Sequence, residues 1–98
     1  MNMDYNKIRP DIVAAIRRYA DQGIPVGGFL TAVMANDLML AIGKADDDNV
    51  KTIPEICCYV YNETPSGCHG SPEKVKAWIE MNYARRKDAV LDKPAASQ

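Results

Sequence analysis

The chain lacks most of the features from which a biochemical role is usually read. It has no basic excess: 12 lysines and arginines stand against 13 aspartates and glutamates, whereas a protein that lives on nucleic acid phosphates carries a clear surplus of cations. Nucleic acid binding is therefore demoted, with Arg85-Arg86-Lys87 the cluster that would touch phosphates. No apolar run approaches the roughly eighteen residues that cross a bilayer; the richest stretch, Phe29 to Ile42, is interrupted by Asn36-Asp37. The N-terminus shows no charged-then-apolar export pattern. Three cysteines, two of them adjacent at Cys57-Cys58, do not make a disulfide framework. These absences predict a cytoplasmic protein that keeps its thiols reduced and does not associate with membranes.

The usual chemical motifs are missing as well. Gly27-Gly28 has neither the lysine of a phosphate-binding loop nor the preceding strand and third glycine of a dinucleotide fingerprint. Cys68-His69 raises metal binding and nucleophilic catalysis, but a zinc site takes four ligands and the other thiols are the adjacent pair at 57 and 58. A cysteine nucleophile draws its base from across the fold, and a histidine next door in sequence is badly placed for the task. The plainer reading packs Cys68 as a small hydrophobe and leaves His69 exposed or hydrogen-bonded at a loop surface. Asp46-Asp47-Asp48 lacks the alternation, glycine and terminal glutamate of a calcium loop. The expectation is no catalytic residue, no metal and no cofactor. There is no internal repeat, and low complexity is confined to the C-terminal tail.

What is present is an ordinary globular composition, 47% apolar and 26% charged over 98 residues, enough for one core. Five of the six glycines fall in two segments, Gly23-Ile-Pro-Val-Gly-Gly28 and Pro65-Ser-Gly-Cys-His-Gly-Ser-Pro72, each running into a helical pattern. The first four N–H groups of a helix need partners from outside it, so these two entrances stand out from simple packing. Pro10-Asp11 opens a first helix whose apolar face is Ile12, Val13, Ile16, Tyr19 and Ala20, and Gly23 closes it with a left-handed cap. Phe29 to Ile42 is apolar around most of its circumference and reads as a central helix, with Asn36-Asp37 as its wet face or a deliberate contact. Asp46 to Asp48 is a loop or the acidic start of the next helix. Thr52-Ile-Pro-Glu55 has capping-box spacing. Ile56 to Tyr61 also reads as a short strand, but a lone strand has no partner here, so helix is preferred. Ser71-Pro72-Glu73 marks the last helix, buried through Val75, Trp78, Ile79 and Tyr83. The fold class is all-α: a compact bundle of three to four short helices over residues 1–86, followed by a disordered tail at 87–98.

Arg17, Arg18 and Tyr19 form a basic-aromatic cluster leading to the first glycine segment, and Tyr59, Tyr61 and Asn62 form a second polar-aromatic set. Arginines grip phosphate and tyrosines stack bases; the plainer readings are a solvated face and core packing. Arg18-Tyr19, Gly23-Ile-Pro-x-Gly-Gly-Phe-Leu30, Ala32-Val33, Asn36-Asp37-Leu38, Tyr61-Asn62 and Pro65-x-Gly-Cys-x-Gly-Ser-Pro-Glu73 followed by Trp78 together resemble a family of small proteins common in bacteriophage and prophage genomes. The match spans residues 16 to 80, and position 69 departs from the pattern, where tryptophan is frequent. The resemblance implies a phage context inside a bacterial host, in which small accessory proteins without enzymatic machinery bind and disable a host component. The resulting expectation is a non-enzymatic binding protein that counters host defence by sequestering a small anionic nucleotide-type ligand. Its site would use Arg17 and Arg18 for charge, Gly27 and Gly28 for backbone donors, and Tyr61 and Asn62 for the base. The alternative is an inhibitor or adaptor that docks on a host protein complex. A central helix so widely apolar also predicts a homo-oligomer. Of the two glycine segments, the first is the expected seat of function.

Overall fold

The computed structural model describes residues 4–97, with side chains through residue 87. Six α-helices follow in order: α1 (Pro10–Gln22), α2 (Gly28–Met34), α3 (Leu38–Lys44), α4 (Asp47–Lys51), α5 (Ile53–Glu63) and α6 (Pro72–Ser97), with single 3-10 turns at Tyr5–Lys7 and Ser66–Cys68. There is no strand among the described residues, so the Ile56 to Tyr61 segment is helical and the all-α expectation holds. The expected tail at 87–98 falls at the end of α6, where side chains from residue 88 onward lie outside the described residues.

Helix α1 starts as its sequence dictates, with Pro10 in the first turn and Asp11 beside the positive end of the dipole. Its buried residues Ile12, Ile16, Tyr19 and Ala20 make it the central element of the core. Ile16 and Tyr19 are fully buried and join Met34, Ile56 and Cys68 there. Each large apolar side chain removed from water in this way contributes about 1.5–3 kcal/mol. Gly23 ends α1 at φ 68°, its N–H donating to the Tyr19 carbonyl at 2.8 Å. An added Cβ at this position would lie 2.2 Å from Asn82 Cβ. Glycine is therefore required twice over, by the left-handed backbone and by the close approach of α6.

The expected central helix over Phe29–Ile42 is two helices. Asn36 takes φ 63°, its N–H donates to the Val33 carbonyl at 3.1 Å, and the Asp37 N–H reaches the Ala32 carbonyl at 2.9 Å. This is the paired bonding of a Schellman C-cap, with asparagine in the place glycine usually takes. Asp37 then caps the next helix by accepting from the Leu40 N–H at 3.1 Å. Asn36-Asp37 is thus neither a wet face nor a contact within one helix; it is the stop of α2 and the start of α3. Asp46 repeats the device for α4, accepting from the Asn49 N–H at 2.7 Å. These extra breaks raise the helix count from the expected three or four to six. The Thr52–Glu55 capping box does not form: Thr52 makes no side-chain cap bond, and its hydroxyl donates back toward the Asp48 and Asn49 carbonyls.

The last helix begins as read, with the Lys74 N–H donating to Ser71 Oγ at 3.1 Å. Two bonds on Tyr19 tie α6 and the loop before it to α1. The Trp78 indole N–H donates to the Tyr19 carbonyl at 2.9 Å, and the Tyr19 hydroxyl donates to the Cys68 carbonyl at 2.6 Å. Arg86, one of the residues considered for phosphate contact, donates to the Gln22 carbonyl at the end of α1.

Tyr19→Phe removes only the hydroxyl and leaves the Cys68 carbonyl without its partner, so the fold should lose about 1–3 kcal/mol in urea unfolding. A second expectation concerns acid. Arg9 pairs with Asp11 at 3.0 Å and with Asp46 at 2.9 Å. The Asp46 carboxylate is held below its usual pKa by the Asn49 N–H and then by Arg9, and that of Asp11 by Arg9. A depressed carboxylate pKa gives stability that is present above the unfolded value, about 3.9, and is lost as pH falls through the folded one. Arg9→Gln should therefore melt slightly below the wild type at pH 7, with the gap narrowing progressively as pH falls below about 3.9 and narrowing in high salt because the pairs are exposed.

Candidate functional site

The second glycine segment, not the first, forms a cavity wall. Gly70, at φ 124°, donates its N–H to the Met34 carbonyl at 2.7 Å. This bond holds the Pro65–Pro72 loop against the end of α2, and a cleft of about 500 Å³ opens beside it. Its lining draws on three regions: Val33 and Asn36 at the α2–α3 break, Cys57, Val60 and Tyr61 on α5, and Ser66, His69, Gly70 and Lys74 from the loop and the start of α6. The volume falls within the range of small-molecule sites.

His69 is the chemically informative member. Its Nε2 atom is buried and has no hydrogen-bond partner. Desolvation and then the nearby Lys74 charge push the imidazole pKa below its ordinary value, so the ring is neutral near pH 7 and offers one donor and one acceptor. This differs from the loop-surface histidine expected from sequence, because the Gly70–Met34 bond turns the segment inward. Lys74 forms no ion pair among the described residues; the pairs there belong to Arg9 and Arg17. Tyr61 is 78% exposed and presents its ring at the cleft. Cys57 shares the lining, but burial and then Cys58 push its thiol pKa up, the opposite of what activates a nucleophile. Cys68 is fully buried and its thiol is also raised by burial, as a packed thiol should be. No group of three or more metal-ligating side chains occurs among the described residues.

The six residues expected to form one site are dispersed. Arg17 donates to Asp21 at 2.7 Å and to the Glu63 carbonyl at 2.7 Å, so it finishes the C-terminus of α5, where a cation belongs. Arg18 is exposed on α1. Gly27 precedes α2 with extended backbone, and Gly28 lies against the Lys44 stem, which an added Cβ would meet at 3.0 Å. Asn62 donates to the Tyr5 hydroxyl at 3.3 Å, while Tyr59 meets the Tyr5 ring edge-on at 5.2 Å. Tyr61 is the member of the six that lines the cleft. Asn36, Ser66, His69 and Lys74 were missed as a group because they converge only through the contact between residues 34 and 70. The available signal was Asn36-Asp37 itself, two helix-breaking residues inside an apolar run.

Compared with family models, curated proteins and solved structures, the chain matches none. No helix among the described residues is long and apolar enough to cross a membrane.

Asn36 tolerates a left-handed backbone less well than glycine does. Asn36→Gly should therefore stabilise the fold by up to about 1 kcal/mol in urea unfolding, while removing an amide from the cleft.

Proposed function

We propose that this protein is a non-enzymatic binding protein of phage or prophage origin, and that it counters a host defence by sequestering a small anionic ligand of nucleotide type. The observation that carries the reading is the buried, unpartnered Nε2 of His69 in a cleft that also holds a lysine and an exposed tyrosine ring. A buried polar atom without a partner is costly, and a ligand polar group would relieve it. Lys74 supplies charge for a phosphate, Tyr61 a face on which a base stacks, and Asn36 and Ser66 further hydrogen bonds. The cleft volume suits a mononucleotide better than a polymer. Binding is favoured over nucleophilic catalysis because the pKa of the thiol in the lining is pushed up by its surroundings, the opposite of what activates a nucleophile. The phage context rests on the sequence pattern between residues 16 and 80. The ligand site moves from the Arg17 end of α1 to the α2–α5–α6 cleft, since Arg17 is already engaged with Asp21 and Glu63.

Isothermal titration against nucleoside monophosphates, cyclic nucleotides and inorganic phosphate tests this directly. At least one nucleotide should bind with micromolar or tighter affinity, and inorganic phosphate, which lacks the ring, should bind far more weakly. Lys74→Ala and Tyr61→Ala should each weaken binding roughly tenfold or more, and Asn36→Gly should weaken it despite its greater stability. Because the His69 pKa is pushed below its ordinary value, the imidazole gains no charge above pH 7 and should add no pH dependence to the affinity between about pH 7 and 9 once the ligand's own titration is removed. Absence of heat with every nucleotide would sink the proposal.

A further inference from the structure

The loop wall of the cleft sets a lysine beside a histidine that has no partner. A Cβ built at Gly70 would lie 3.5 Å from Lys74 Cδ and 3.6 Å from Lys74 Nζ. The lysine stem therefore folds back over the loop, and its ammonium rests over the residue that follows His69. Gly70 leaves that space open at a φ of 124°, a backbone that residues with a side chain rarely adopt. The Nε2 atom of His69 is buried and unpartnered beside it. The other titratable groups in the lining are Cys57 and Tyr61 of α5, while the α2–α3 break contributes only Val33 and Asn36. Among the described residues no carboxylate lines the cleft, and Glu73, next to Lys74, is exposed outside it.

The protein alone opposes a charge on this imidazole in two ways, first by burial and then through the Lys74 ammonium. An anionic oxygen bound in the cleft works against both. It offsets the field of the lysine, and it gives the N–H of a charged ring an acceptor. We propose that this protein binds its anionic ligand together with a proton, taken up from solvent by the His69 ring, so that imidazolium and the Lys74 ammonium hold the phosphate jointly. The proposal rests on the reading of the cleft as the anion site and adds a dependence on acidity to it. Linkage fixes the sign: a ligand that favours the charged ring is itself bound more tightly as pH falls through the His69 transition of the complex, and gains nothing more below that of the free protein. Burial persists in the complex and opposes the phosphate, which keeps the bound-state transition in the ordinary histidine range. The acid limb therefore lies below about pH 7.

His69 is the one histidine in the chain, so its Cε1–H resonance reads the ring directly while nucleoside monophosphates and cyclic nucleotides are added in turn. With a nucleotide bound, that resonance should titrate at higher pH than in the protein alone. Calorimetry near pH 6 in buffers of different ionisation enthalpy should show proton uptake on binding. Affinity, corrected for the ligand's own titration, should tighten roughly three- to tenfold from about pH 7 to pH 5. His69→Gln keeps a hydrogen-bonding amide but takes no proton, so its affinity should be the same at both pH values and its deficit against the wild type should grow toward acid. A deficit equal at both pH values is that of a structural or neutral histidine and overturns the proposal. So does a bound nucleotide that leaves the His69 transition in place, although the cleft remains a nucleotide site. Absence of binding by every nucleotide, at pH 5 as at pH 8, removes both readings. Should His69→Gln not fold, the wild-type resonance and the proton count still decide.

Discussion

Everything that gives this small protein a shaped surface depends on how Tyr19 uses its two polar ends. Its ring is fully buried, its hydroxyl donates to the Cys68 carbonyl, and its own carbonyl accepts the Trp78 indole. One residue of the central helix therefore holds both the Pro65–Pro72 loop and the last helix. The loop has little regular structure of its own, apart from one 3-10 turn. Its position comes from this bond and from the Gly70–Met34 bond, both reaching backbone carbonyls that water would otherwise satisfy. A hydrogen bond of this type adds only about 0.5–1.5 kcal/mol net, but leaving a buried partner unmet costs more. The asymmetry fixes the loop in one place, and with it the cleft wall.

Charge does less of this work than its abundance suggests. Arg9 bridges Asp11, Asp46 and Asp48, but these groups are substantially exposed, and such pairs are screened and weak. Arg17 is more useful because one of its bonds goes to the Glu63 carbonyl, where a helix end needs a donor whatever the ionic strength. An arginine placed near a glycine-rich turn in sequence is therefore no guide to anion binding until its partners are known. Among the described residues the unpaired cation that lines the cleft is Lys74, which belongs to the second glycine segment's helix and not to the first, where the sequence places the site.

Local signals in the chain were legible and long-range ones were not. Pro10-Asp11, Gly23 and Ser71-Pro72-Glu73 each act within a few residues of themselves, and each marks the helix boundary that its chemistry implies. Helix over strand at Ile56 to Tyr61 followed from the lack of a pairing partner, and the helix is present. Thr52–Glu55 matched a capping box by spacing alone, but the Thr52 hydroxyl finds the preceding turn of α4 first. The cleft could not be read because its walls are joined by a contact between residues 34 and 70, which no periodicity encodes. The destinations of Arg17 and Asn62 are likewise set by residues 46 and 57 positions away.

The Phe29 to Ile42 segment shows most clearly why pattern and structure part. Leu30, Met34, Leu38 and Ile42 recur every four residues, so in a continuous helix they would share one face. Leu30 and Met34 are indeed buried, while Leu38 and Ile42 are about half exposed. The difference is the single left-handed backbone at Asn36, after which the chain leaves in a new direction and the same periodicity faces water. That angle places the Asn36 amide at the lip of the cleft and sends an apolar helix out of the core. The cleft and the exposed apolar helix therefore share one origin.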